Sequence, residues 1–323
     1  MKALRVDDRH LSLEDVPVPV SDSEALVRVT CSGICNTDIE IIRGYADFKG
    51  TIGHEFVGVV EASPGGLQLS GKRVVGEINA GCGACFLCRS GDPRHCPDRT
   101  VLGIVARDGA HAEYLTLPVS NLVEVPENVS NRQAVFAEPL AAALAIGEQV
   151  SIDEDTSVGV IGDGKLGLLC AMTLGLRSSN VLLIGRHRRK LAIAEDANIE
   201  VELADAAGLR HRKFDVMIEA SGSASGFEAA LYLVRPKGKV VLKSTFHGRS
   251  SWPASKIVVD EISIIGSRCG RLGTAVALLS ENKFDFTRLI DDEFPLTEGL
   301  KGFARAGEKG SLKVLLYPEG SAV

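Results

Sequence analysis

The segment SVGVIG runs directly into Gly162-Asp163-Gly164-Lys165-Leu166-Gly167, and this junction limits the possible fold more than any other part of the chain. G-x-G-x-x-G is a weak pattern alone, but between a predicted strand and a predicted helix it has a mechanical meaning. Gly162 permits the tight turn, Gly164 lets a pyrophosphate approach the backbone, and Gly167 lets the helix from about Lys165 pack closely. Downstream the text alternates: VLLIG, a helix through RRKLAIAEDA, FDVMIEA, a helix through SGFEAALYLV, GKVVLK and ISIIGS. Such alternation predicts parallel strands joined by crossover helices, hence an α/β, Rossmann-type doubly wound sheet over residues 149–266.

The first 125 residues have another texture: short β-rich runs (MKALRV, EALVRVTC, FVGVVEA, KRVVGEI, AEYLTLP, NLVEVP) broken by Gly and Pro. They predict an all-β lobe with long loops. Asn131 to Val150 is Ala-rich and predicts one connecting helix, N-capped by Ser130 and kinked at Pro139. The helix TAVALLSEN and the strand LKVLLYP close the chain. They are assigned to the β-rich lobe, which then comprises 1–148 and 267–323. A chain of 323 residues suffices for two domains, each with its own core.

Cys82, Cys85, Cys88 and Cys96 follow a C-x2-C-x2-C-x7-C spacing. Short loops of this kind let four sulfurs reach one centre at about 2.3 Å, the arrangement of a closed structural zinc. Four unrelated cysteines or two disulfides are the alternatives, but such tight, regular spacing in a chain with no secretory segment favours a metal. A closed four-sulfur site leaves no position for substrate, so chemistry must lie elsewhere. Cys35, His54, Glu55 and Glu138 supply the S, N and O donors typical of a catalytic zinc that keeps one position open. Their separation along the chain does not by itself establish that they converge. Cys31, Cys170 and Cys269 sit among apolar or small residues and are read as inert packing.

A dinucleotide fold usually places a carboxylate at the end of its second strand, for the ribose 2′-hydroxyl. Here VLLI ends at Gly185, followed by Arg186, His187, Arg188 and Arg189. With several cations and no acid in that stretch, a 2′-phosphate is the better guest, and NADP(H) is expected over NAD(H).

With these motifs in order, the chain resembles the zinc-dependent medium-chain dehydrogenase/reductase family, which includes alcohol, sorbitol, threonine and glucose dehydrogenases. The resemblance rests on GIC-x-TD, GHE-x-x-G, the cysteine quartet, GAHAEY, EPL, the dinucleotide turn and the terminal KVLL. It implies a GroES-like catalytic lobe beside the Rossmann lobe, with zinc and cofactor in the cleft between them. It also implies two zinc ions per chain, with Cys35, His54 and a glutamate, Glu55 or Glu138, at the catalytic one. Thr37 would accept the substrate hydroxyl's proton, Asp38 would orient His54, and hydride would pass to the nicotinamide. EPL in place of a cysteine moves the match toward the sorbitol, threonine and glucose branch.

Two positions depart from the family pattern. Glu40 stands where several relatives carry a histidine, which puts the outer end of a proton relay in doubt. His111 stands where an aromatic or other apolar residue is common, and is read as a packing histidine or a pocket residue. His10, His95, His187, His211 and His247 show no ligand spacing.

The expected activity is reversible hydride transfer between NADP and a secondary alcohol, polyol or sugar-like hydroxyl. A zinc-independent enone or quinone reductase would keep the Rossmann lobe but needs no metal at the hydride site. A zinc-ribbon interaction module fused to a nucleotide sensor would need only the quartet and the glycine turn. A net charge of −6 and a pI near 5.7 argue against nucleic acid or an anionic membrane as partner. MKALRVDDRHLSLEDV lacks a signal-like apolar run, so a cytoplasmic protein is expected, a homodimer or homotetramer by resemblance.

Overall fold

The structure, a computed structural model, describes residues 1–64, 69–244 and 253–319, so His247 lies outside the described residues. It separates into two units, Met1–Glu138 with Leu272–Val323, and Pro139–Arg271.

The Pro139–Arg271 unit holds a six-stranded sheet in which every neighbouring pair is parallel. From one edge its strands are Glu200–Leu203, Val181–Gly185, Val158–Ile161, Phe214–Glu219, Val234–Leu242 and Ser263–Gly266. The order reverses at Val158–Ile161, the switch point that a doubly wound sheet uses for its ligand. The Val158–Ile161 and Val181–Gly185 strands are buried throughout, as expected of strands covered on both faces. The helices Lys165–Leu174, Arg188–Glu195 and Ala224–Leu233 make the predicted crossovers. Phe214, Met217 and Phe227 pack with Leu182 and Ile184 in its core.

The other unit is built on a mixed sheet ordered Leu122–Glu124, Arg73–Gly76, Glu55–Ala62, Ala25–Ile34, Lys313–Tyr317 and Ile290–Pro295. Tyr114–Leu117 also pairs with Ala25–Ile34, a ten-residue strand that organises the sheet. Lys313–Tyr317 runs antiparallel to it, with Leu315 opposite Gly33. Lys313–Tyr317 thus lies between Ala25–Ile34 and Ile290–Pro295, inside a sheet whose other members come mostly from the first 125 residues.

One expectation needs correction. The stretch 131–150 is not a single kinked helix but three short ones, Asn131–Ala134, Ala137–Leu144 and Ile146–Gln149. Ser130 does cap the first, accepting from Gln133 N–H at 3.3 Å. Pro139 lies in the first turn of the second helix, where no intrahelical donor is lost, so it starts a helix rather than bending one.

Candidate metal centres and dinucleotide site

At the end of the Ala25–Ile34 strand the chain turns into the helix Asn36–Ile42, with Cys35 as its N-cap. Asp38 is the third helical residue, and its carboxylate accepts from Cys35 N–H at 2.8 Å. Glu55 opens the next strand directly opposite Gly33. A Cβ at Gly33 would lie 2.7 Å from Glu55 Oε2, so glycine leaves that carboxylate in its present place. This register carries His54 and Glu55 to Cys35. The ligand atoms of Cys35, His54 and Glu55 all lie within 4.8 Å of one another.

The three donors fit a catalytic zinc in chemistry and in electrostatics. Burial disfavours charge on His54, but Asp38 and Cys35 outweigh that and raise its pKa well above the ordinary histidine value. A field that favours a proton there also favours a metal cation. His54 Nδ1 lies 3.1 Å from Asp38 Oδ1, a charge contact whose angles fall short of a hydrogen bond. With Nδ1 turned to Asp38, Nε2 is left as the ligand nitrogen.

Glu138 is not in the converging trio, although it is near enough to feel it. Burial pushes its pKa up to about 7, His54 opposes that rise, and Glu55 and Glu77 add to it. Glu55 carries a commitment that its sequence context did not reveal: Oε2 is paired with Lys313 Nζ, and both side chains are only 1% exposed. Thr37 borders the trio, with Oγ1 3.8 Å from Cys35 Sγ. Glu40 does not join it; its carboxylate is held by Arg43 at 2.8 Å. Helical geometry turns residue 40 toward residue 43. His111, expected as packing or as a pocket residue, is fully buried and hydrogen-bonded to Ser32 and Asp38.

The sulfurs of Cys82, Cys85, Cys88 and Cys96 also lie within 4.8 Å of one another. Backbone N–H groups point at them: Cys85 N–H to Cys82 at 3.4 Å, Cys88 N–H to Cys85 at 3.5 Å, Cys82 N–H to Cys96 at 3.4 Å. Such donors favour thiolate, and the N–H groups of Ala84 and Cys85 bring Cys82 down to about 7, whereas burial pushes Cys88 up to about 12. All eight cysteines are free in the structure, and the four-sulfur set fits a closed zinc site. Cys31 and Cys170 are pushed up to about 12 by burial and are inert packing groups, as expected.

In the other unit Gly162 takes φ +118°, and a Cβ at Gly167 would fall 1.8 Å from the Gly162 carbonyl oxygen. Both glycines thus play the parts their spacing predicts. A cavity of about 600 Å³ opens beside the turn. Of the predicted cofactor residues, Gly162, Asp163, Gly164, Gly185, Arg186 and His187 line it. Lys165, Leu166, Gly167 and Arg188 do not; they belong to the helix starts beside it. Lys190, Asp205 and Arg210 line it as well and were not anticipated. Lys190 was legible only as part of the basic run, and no local motif marks the other two.

The premise that no acid stands near the end of the Val181–Gly185 strand is corrected. Asp163, from the glycine turn itself, accepts from Arg186 N–H and His187 N–H at 2.6 Å each, and its Oδ2 lies 3.0 Å from His187 Nδ1. Burial raises the Asp163 pKa, but those donors outweigh it and the net shift is downward. The carboxylate is ionised and its charge is met by three donors.

Residues 21–127 match the family profile described as alcohol dehydrogenase GroES-like domain, and residues 164–282 the profile described as zinc-binding dehydrogenase. The chain is 31% identical over 342 residues to the erythritol/L-threitol dehydrogenase of Mycolicibacterium smegmatis, covering 95% of this chain and 94% of that one. A zinc-binding dehydrogenase of Sinorhizobium meliloti 1021 bound to NADP superposes with TM-score 0.88 at 26% identity, covering 98% of this chain and 99% of that one. An Escherichia coli CFT073 alcohol dehydrogenase, RspB, complexed with NADH, superposes with TM-score 0.90 at 28% identity and the same coverage. The fold and both profiles define a dehydrogenase with a GroES-like and a Rossmann-type part. The chain belongs to the zinc-dependent medium-chain dehydrogenase/reductase family and is a zinc-dependent alcohol oxidoreductase that uses NAD(P).

Proposed function

We propose that the chain catalyses reversible, NADP(H)-preferring oxidation of a secondary alcohol, polyol or sugar-like hydroxyl. The observation that carries the reading is the convergence of Cys35, His54 and Glu55 within ligand distance in the GroES-like part. Zinc held there would supply Lewis acidity that makes a substrate hydroxyl easier to deprotonate. Thr37, whose Oγ1 is 3.8 Å from Cys35 Sγ, would accept the substrate's hydroxyl hydrogen while passing its own hydrogen on to solvent. Asp38 faces the Nδ1 side of His54 at 3.1 Å, and its charge would favour the tautomer and orientation that turn Nε2 to the metal. Glu55, tethered by Lys313, offers its second oxygen to the site, and Glu138 is a further carboxylate within electrostatic reach. The polyol substrate of the M. smegmatis relative supports the substrate class.

We place a second, structural zinc at Cys82, Cys85, Cys88 and Cys96, which gives two per chain. Cys88→Ser is expected to lower Tm by roughly 5 °C or more, the shift that about 2 kcal/mol produces in a unit of this size. Folded Cys88→Ser protein should keep its turnover per active site. An unchanged Tm together with unchanged zinc content would remove the structural site. The assembly is read as a cytoplasmic homodimer or homotetramer; no helix among the described residues is long and apolar enough to cross a membrane.

The NADP preference is supported by Arg186, His187 and Arg210 on the cavity wall, and by an Asp163 whose charge is already met by donors from residues 186 and 187. A parallel screen of alcohols and carbonyls with NADP and NAD tests reaction class and cofactor together. Arg186→Ala should cost NADP about 10-fold or more in kcat/KM, the range of a charge-assisted contact, and leave NAD nearly unaffected. An NAD efficiency at or above that of NADP, unchanged in Arg186→Ala, would end the preference.

A further inference from the structure

We infer that His111 is a positioning residue that acts through Asp38 on the catalytic metal site. It is fully buried, and its ring meets Ser32, Asp38 and Phe303 on three elements of the lobe. His111 N–H donates to the Ile52 carbonyl at 2.9 Å, and the His111 carbonyl accepts from Leu4 N–H at 2.8 Å, so the backbone on which the ring is mounted is pinned. The ring packs edge-on to Phe303 with centroids 5.5 Å apart. On its other side is Gly53, at φ +101°, where a Cβ would come within 2.6 Å of His111 Cγ. Residue 53 is glycine because the backbone turns there and because the imidazole fills the space, one residue before His54.

The hydrogen bonds assign the protons. Asp38 sits among donors, taking the Cys35 N–H at 2.8 Å and facing His54, which is the setting of a carboxylate. It can only accept, so His111 Nε2, 3.4 Å from Asp38 Oδ2, carries the hydrogen. An imidazole that carries its hydrogen on Nε2 offers a bare Nδ1, and Ser32 Oγ lies 2.9 Å from it, in place to donate its hydroxyl hydrogen. Asp38 Oδ2 is thereby gripped from two sides, by His111 and by Cys35 N–H at 2.8 Å. Oδ1 is then left facing His54. Neither Ser32 nor His111 has ligand spacing, and a phenylalanine at 111 would fill the same space without the donor. The chain Ser32, His111, Asp38, His54 thus anchors one zinc ligand to the interior of the lobe.

The inference rests on Cys35, His54 and Glu55 being the catalytic zinc ligands. It is tested with the zinc-loaded protein and the variants His111→Phe, His111→Gln, Ser32→Ala and the Ser32→Ala/His111→Phe pair. Release of zinc to a chromogenic chelator is followed alongside kcat/KM. His111→Phe should speed loss of one zinc by about 10-fold or more, the usual cost of removing an outer hydrogen-bond partner. His111→Gln should restore most of the retention, and Ser32→Ala should fall between them and add nothing in the His111→Phe background. Zinc release in His111→Phe within twofold of the parent overturns the inference, as does a Ser32→Ala penalty undiminished in the double variant. Should His111→Phe not fold, Ser32→Ala removes a single oxygen and decides by the same criterion. Imidazole 15N shifts give a readout free of metal and turnover: protonated Nε2 and bare Nδ1 at His111 support the assignment, and the reverse overturns it. A parent whose zinc content is unaffected by Cys35→Ala would overturn the ligand assignment, and with it zinc anchoring, while the tautomer is still judged by the nitrogen shifts.

Discussion

Cys35→Ala is expected to lower kcat/KM by about 10³-fold or more, roughly 4 kcal/mol of barrier, and to reduce bound zinc by one ion per chain. The thiol is one of three ligand atoms that converge within 4.8 Å, and alanine offers no replacement donor. The local fold should persist. The half of the cap in which the Asp38 carboxylate accepts from the residue-35 N–H does not need the sulfur and survives the substitution. Metal analysis and steady-state kinetics on the same preparation check both halves. Full activity with unchanged zinc content would move the chemistry away from this site, toward the zinc-independent reductase considered from sequence.

The largest stability effect is expected at Lys313. Its ammonium and the Glu55 carboxylate form an ion pair with both side chains 1% exposed, and Nζ also sits 5.6 Å from the centre of the Phe136 ring. Burial works to depress the Lys313 pKa, but Glu55 and then Cys35 outweigh it, and the net shift is upward. A group whose folded pKa is raised contributes its stabilisation below its unfolded value. That contribution persists through neutral pH and is lost only as strongly alkaline pH removes the proton. Lys313→Met keeps much of the volume but strands the carboxylate, and should cost about 3–5 kcal/mol in denaturant unfolding at neutral pH. Adding Glu55→Gln should recover a large part of that loss, because no buried charge is then left unpaired. Bound zinc, a second cation beside Glu55, offsets part of the cost, so metal-free protein should show the larger effect. A Lys313→Met variant as stable as the parent under both conditions would refute the account.

Local motifs were legible for a physical reason. The glycine turn and the cysteine quartet each lie within fifteen residues or fewer, where chain geometry dictates which atoms can meet. The spread-out site was legible as a set of donor types, not as an arrangement. Cys35, His54 and Glu55 meet because Gly33 registers with Glu55 across two antiparallel strands. Lys313 reaches Glu55 across 258 residues because the final strand pairs with Ala25–Ile34. A sequence signal for Lys313 existed, since a lysine heading the apolar run KVLLY in a predicted strand asks for a buried partner. Asp163 was named as part of the turn, but its position at the end of the neighbouring strand depends on sheet pairing that spacing does not express.

The sequence alone determined the class of each part: alternating periodicity required a parallel sheet with its phosphate-binding turn, and closely spaced thiols required a metal-sized cluster. These outcomes follow from short-range geometry, which the order of residues specifies directly. The tertiary structure decided which carboxylate joins Cys35 and His54, which cation Glu55 must share, and that His111 grips Asp38 from behind. Those pairings depend on strand register and burial, where one residue of slip would turn each side chain to the opposite face.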